Sequence, residues 1–157
     1  MTQELQWIDT HCHVYEENIP GGQEHALQAA RDAGVVTMIV IGTDADTTLQ
    51  AIDIANMHPD VYATVGLHPH DAKNGIDTIT SFLGSNKVVG IGETGLDYYR
   101  LGERTLADMA WQRERFRVHI RAARQTGLPL VIHTRSASDD TLDILREEGG
   151  FGPGDGR

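Results

Sequence analysis

Cysteine is almost missing from this chain: Cys12 is the single one in 157 residues. A lone thiol excludes an intrachain disulfide framework and fits a reducing compartment, so a cytoplasmic location is expected. No apolar run approaches the roughly 20 residues that a membrane-spanning helix requires. Met1 to Gln6 is polar and lacks the apolar centre of a signal peptide. Positive charge is scarce as well. The formal net charge is −10, and residues 1–99 carry 14 Asp or Glu against 3 Lys or Arg. A surface of that sign excludes tight non-specific binding of nucleic acid through its own side chains. An enzyme that grips phosphate through bound cations escapes the objection, because the cations supply the positive charge. The deficit is also uneven. Residues 100–157 hold 9 acidic residues against 10 basic ones, and seven of the basic residues lie between Arg100 and Arg124.

What is present describes one globular domain, with 39% hydrophobic and 23% charged residues. Short apolar runs alternate with amphipathic stretches. Strands are expected at Trp7–His11, Val35–Ile41, Val61–Leu67, Val88–Ile91 and Leu130–His133. Helices are expected at Gln23–Ala33, from a cap at Asp46 to Met57, from Asp77 or Thr78 to Leu83, at Thr105–Gln125 and at Ala137–Glu148. On the long helix, Gln112, Phe116, His119, Ile120 and Ala123 fall on one inward stripe. Arg113, Arg117, Arg121 and Arg124 lie off it and read as a solvated face. Strand–helix units in this order imply an α/β fold with a parallel sheet. Residues 149–157, Gly149-Gly150-Phe151-Gly152-Pro153-Gly154-Asp155-Gly156-Arg157, have no periodicity and read as a disordered tail.

Chemistry-bearing residues gather at the C-terminal ends of the expected strands, where α/β folds place their sites. His11 and His13 close the first strand and, by the period-two alternation of a strand, share a face with Asp9 while Cys12 takes the other. Two imidazoles at that spacing reach one divalent cation. Glu93 follows the fourth strand and offers two oxygens, enough to bridge two ions; His133 ends the fifth and suits a second ion. Glu93 is accordingly both a ligand candidate and the catalytic candidate. His68 is a candidate for substrate contact, with a packed loop histidine as the alternative. Arg135 could hold a phosphate with its planar fork or make a surface salt bridge. His70 reads as structural or exposed, Asp97 as orienting a ligand or, in preference, capping the turn, and Cys12 as a small buried apolar residue. His25, His58 and His119 read as structural and remote from the site.

The stretches Ile8-Asp9-Thr10-His11-Cys12-His13, Val65-Gly66-Leu67-His68-Pro69-His70, Gly90–Tyr99 around Glu93, and Pro129–Arg135 resemble the TatD family of metal-dependent deoxyribonucleases. The likeness runs from about residue 7 to residue 148. It implies a TIM (β/α)8 barrel of the amidohydrolase-like superfamily, of which this chain carries about the first five units. Residues 1–148 then form an incomplete barrel domain.

The resemblance further implies two divalent ions (Mg, Mn or Zn) held by His11, His13, Glu93 and His133, with DNA as the substrate and a metal-activated water as the attacking group. No membrane or obligate protein partner is expected. The family pattern also has a histidine after the sixth strand and an aspartate after the eighth, which these 157 residues do not show. Either the sequence is a fragment, or a frameshift or early stop has replaced its C-terminal part. The chain alone is expected to be poorly soluble or inactive, because a partial barrel exposes strand edges. Two alternatives stay open: a related enzyme acting on a small amide, lactone or phosphoester, and an inactive remnant that binds only metal or a partner.

Overall fold

The structure is a computed structural model that describes residues 5–15, 17–70 and 77–152. Five strands, β1 (Trp7–Cys12), β2 (Val35–Val40), β3 (Val61–Val65), β4 (Val88–Asp97) and β5 (Leu130–Arg135), alternate with five helices. These are α1 (Gly22–Asp32), α2 (Ala45–Met57), α3 (Asp77–Phe82), α4 (Ala110–Thr126) and α5 (Ser138–Glu148). All strands are parallel and lie in the order β1-β2-β3-β4-β5, a sheet curled into half of the expected barrel. Consecutive strands are thus neighbours, and their C-terminal ends line one rim.

The main core is built from Leu27, Met38, Ile52, Ile54, Val61 and Ile91, with further apolar residues of β2, β3 and α2. A second cluster joins Leu96, Phe116, Ile120, Ile144 and Leu145, seating α4 and α5 against the end of β4 and start of β5. The sheet edges are less covered. Trp7 and Ile8 of β1 are more than half exposed, and Ile132 of β5 is 39% exposed.

Helix boundaries follow local chemistry. The cap of α2 is Asp44, not the expected Asp46: its Oδ1 accepts the Thr47 N–H at 2.7 Å, and Thr47 Oγ1 accepts the Asp44 N–H at 3.0 Å. Such a reciprocal box contributes about 1 kcal/mol, and Asp46 is left in the first turn, where a negative charge suits the helix dipole. A 3-10 turn, Ala107–Met109, precedes α4, so the long helix starts later than its pattern suggests. Its expected stripe of Gln112, Phe116, His119, Ile120 and Ala123 is buried.

The arginine face of α4 is not merely solvated. Arg117 pairs with Glu147 at 2.8 Å, Arg121 with Glu148 at 2.7 Å, and Arg124 donates to the Glu148 carbonyl at 2.8 Å. These contacts tie α4 to α5. The α5 helix stops where the Gly149 and Gly150 N–H groups turn back to the carbonyls of Arg146 and Leu145. Residues 153–157 of the expected tail lie outside the described residues.

Candidate metal centre

The six residues singled out from the sequence lie at one rim, and five of them, all but Arg135, come together there. His11 is on β1 and His13 one residue past it, Glu93 is on β4, His133 on β5, and His68 follows β3. Their donor atoms form two clusters that share Glu93. His11 Nε2 lies 3.2 Å from His13 Nε2 and 3.4 Å from Glu93 Oε2. His133 Nδ1 lies 3.4 Å from Glu93 Oε1 and 3.2 Å from His68 Nε2. Within each cluster the donor atoms all fall within 4.8 Å of one another, so either could hold an ion.

The backbone of β4 makes this possible. Gly92 and Gly95 flank Glu93 at φ of +144° and +140°, and a Cβ on either would collide with β5 backbone, at Val131 and His133 respectively. Only glycine permits that approach. The β4–β5 register shifts between Ile91 and Thr94 and then sets Gly95 against His133 and Asp97 against Arg135. The Glu93 N–H donates to the Gly42 carbonyl beyond β2 at 2.8 Å, fixing the carboxylate at the centre of the rim.

Hydrogen bonds decide which ring nitrogen of each histidine is available. The Tyr15 hydroxyl donates to the Ile41 carbonyl at 2.7 Å, so it can only accept from His13 Nδ1, 2.8 Å away. His13 therefore carries its proton on Nδ1 and turns the Nε2 lone pair to His11 and Glu93. His133 Nε2 donates to Asp97 Oδ2 at 2.8 Å, leaving Nδ1 as the lone pair facing Glu93. Both arrangements are what a metal-ligating imidazole needs: the far nitrogen protonated and held, the near one basic. Two imidazoles and a shared carboxylate fit a divalent cation of the Mg, Mn or Zn kind.

His68 differs. Its Nδ1 accepts the His70 N–H at 3.1 Å, so a neutral ring carries its hydrogen on Nε2 and points a donor into the cluster. Burial, and then neighbouring His133, push the His68 imidazole down to about 4, so it is neutral at pH 7. Asp97 does cap the turn, accepting the Tyr99 N–H at 2.9 Å, but it also receives His133 and His70, each at 2.8 Å. Burial works to raise its carboxyl; the bonds from His133, Tyr99 and His70 outweigh it and hold the pKa below the ordinary carboxylate value. Arg135 stacks on the Tyr99 ring, with Cζ 3.7 Å from the centroid, instead of forming a salt bridge with any described residue.

Sequence reasoning missed three supporting side chains. Tyr15 continues the period-two series His11, His13, Tyr15, which is the signal that could have found it. Gln112 accepts the Asp97 N–H at 3.0 Å and donates to the Pro69 carbonyl at 3.0 Å, tying the β3 loop to the end of β4. His119 is structural, as expected, but not remote. Its Nε2 accepts the Leu67 N–H at 3.0 Å, next to His68, while Nδ1 donates to the Arg115 carbonyl at 2.8 Å. His58, by contrast, pairs with Glu24 of α1 and shares no contact with the cluster. Cys12 packs against the main core, and burial, with the Asp9 charge, pushes its thiol up to about 12.

Known proteins share this arrangement of chain. The family profile described as TatD-related DNase matches residues 8–154. An uncharacterized metal-dependent hydrolase, YabD, of Bacillus subtilis is 34% identical over 146 residues, covering 90% of this chain and 56% of its own. A 3'-5' ssDNA/RNA exonuclease TatD of Edwardsiella piscicida is 32% identical over 144 residues, covering 88% and 54%. Among solved structures, the TatD homologue YJJV of Escherichia coli superposes with a TM-score of 0.79 at 28% identity, covering 90% of this chain and 56% of that one. A TatD-family hydrolase of Entamoeba histolytica gives 0.78 at 25% identity, covering 92% and 55%. The chain spans about half the length of the relatives it matches. The chain belongs to the TatD-related DNase family.

Proposed function

We propose that the chain supplies the metal centre of a hydrolase that cleaves phosphodiester bonds in DNA, with two divalent ions held by His11, His13, Glu93 and His133. The observation that carries the reading is the pair of oriented imidazoles, His13 on Tyr15 and His133 on Asp97, on either side of one carboxylate. When bound, divalent cations lower the pKa of coordinated water and neutralise charge developing on a phosphate. Glu93 turns one oxygen to each histidine group and brings a negative charge that imidazole ligands lack. His11, with its side chain 43% exposed, leaves the rim open for a strand to enter. His68 Nε2 lies 3.2 Å from His133 Nδ1. Where an ion takes the Nδ1 lone pair, the His68 N–H becomes free to donate to a phosphate oxygen, a hydrogen bond that strengthens as the oxygen gains charge. The nuclease reading draws on relatives that carry the exonuclease name. A cytoplasmic location belongs to the same proposal, resting on the single cysteine, held as a half-buried thiol.

The test is Mn2+-dependent hydrolysis of a single-stranded oligonucleotide beside a panel of small amides, lactones and phosphoesters. Glu93→Gln should lower oligonucleotide turnover by at least about a hundredfold, since both ion groups lose a ligand. Turnover at the wild-type level would remove Glu93 from the mechanism. Faster turnover of a small ester or amide would give the chain the other hydrolytic specificity, because fold and ligands alone do not choose a substrate.

A further inference from the structure

Beside the metal rim lies a second concave site of about 290 Å³, lined by three arginines from the basic-rich part of the chain and by Asp97. Three guanidinium groups, Arg100, Arg104 and Arg135, line it, although residues 1–99 carry only 3 basic side chains and the whole chain is at −10. Among the described residues none of the three pairs with a carboxylate; the arginines that do, such as Arg31, Arg117 and Arg121, lie elsewhere. Gathering like charges on one concave wall costs free energy that an anion relieves.

The walls add an aromatic component. Arg135 Cζ lies over the Tyr99 ring, 3.7 Å from its centroid, and Arg100 Cζ is 5.1 Å from the same ring. Trp111 forms another part of the lining. A guanidinium stacked on a tyrosine presents a flat, cationic surface, on which a nucleobase can lie while neighbouring N–H groups take a phosphate. The cleft also adjoins the proposed ion group directly. Asp97 lines it and receives His133, and His133 and Arg135 share a face of β5, roughly 7 Å apart along the strand.

We infer that this cleft, built from Tyr99, Arg100, Arg104, Trp111 and Arg135, holds the nucleotide next to the scissile phosphate of a single strand. The inference rests on the nuclease reading and adds a binding site that owes nothing to metal. Arg104 and Arg135 contact the phosphodiester, and the Tyr99–Arg135 stack and Trp111 receive the base. Binding through this cleft persists when the ions are removed.

The experiment is fluorescence anisotropy of a labelled oligothymidine of about 12 nucleotides, a length within the usual single-strand site sizes, titrated with the chain in EDTA. Arg104→Gln with Arg135→Gln should raise Kd at least about tenfold, and each lost phosphate contact should flatten the salt dependence of log K by about 0.7. Arg146→Gln, which removes an exposed arginine paired with Asp143, should leave Kd unchanged. Circular dichroism melts confirm that each variant is folded. Equal binding by wild type and the double variant, or no binding by a folded wild type, overturns the inference. So does displacement of the oligonucleotide by equimolar deoxythymidine monophosphate, which would make this a site for a free phosphate ester. Cleavage with added Mn2+ separates the two readings. A wild type that binds in EDTA through these arginines but neither cleaves nor holds Mn2+ in a calorimetric titration overturns the metal-centre reading and leaves the cleft standing. Cleavage with arginine-independent binding does the reverse.

Discussion

His13 and His133 each turn one ring nitrogen toward Glu93 and need the other protonated, but the molecule holds those two protons differently. His13 gives its proton to Tyr15, a neutral hydroxyl whose own hydrogen is committed to the Ile41 carbonyl. His133 gives its proton to Asp97, a fully buried carboxylate that also receives the Tyr99 N–H and His70. A charged acceptor makes the imidazole more basic than a neutral one does, and a charge-assisted hydrogen bond is roughly twice as strong. The surroundings differ in the same direction. His13 and His133 both belong to the edges of the sheet, but the second group is braced by Gln112 and His119 from the buried face of α4. The His133 side should therefore be the tighter and more rigid half of the centre, and the His13 side the more open one.

The two halves should separate most at Asp97. Asp97→Asn keeps the shape but removes the charge that holds the His133 proton. Mn2+ affinity of the His133 group should fall about 10–100-fold, with the His13 group nearly unaffected. Equal losses at both groups in a two-site calorimetric titration would show that the halves are not independently supported. Tyr15→Phe is the counterpart. Because the His13 ring is only partly buried, water can replace the lost hydroxyl, so a drop of only about two- to fivefold is expected, confined to the His13 group. A loss as large as that of Asp97→Asn would contradict the ranking of the two acceptors.

Acid should loosen the His133 side as well. Burial depresses the His119 imidazole from 6.5 to about 4, while an unfolded chain titrates near the ordinary value. Between those values the unfolded state binds more protons, so stability is fully present above pH 6.5 and falls as pH drops toward 4. Between pH 7 and pH 5 the loss from His119 should be on the order of 2 kcal/mol. His68, depressed to about 4 as well, contributes with the same sign. Urea unfolding at both pH values checks it: His119→Gln should be less stable at pH 7 and show a shallower pH dependence. An unchanged slope would mean that His119 does not carry the effect.

Much of this centre could be read from the chain because three of its candidate ligands, His11, His13 and His133, lie at or next to strand ends. Alternation within β1 fixes which way His11 and His13 point, and Gly92 and Gly95 mark a backbone that neighbours approach closely. What escaped the reading depends on pairing between segments. Asp97 meets His133 only because the β4–β5 register slips between Ile91 and Thr94, which no single-strand periodicity encodes. Arg117 and Arg121 looked solvated because their partners, Glu147 and Glu148, lie about one helix and one strand later in the chain. His119 looked remote because its distance in sequence from Leu67 hides a 3.0 Å hydrogen bond. The α2 cap was misplaced for a smaller reason. Asp44 and Asp46 are both plausible caps, and the Thr47 hydroxyl selects the first.

The central claim is that Glu93 is shared between two ion groups, and calorimetric titration of the chain with Mn2+ tests it most directly. Wild type should bind two ions per chain, with both affinities weakened at least about tenfold by Glu93→Gln. A variant that loses one ion and binds the other with unchanged affinity, or a folded wild type that binds fewer than two, would contradict it.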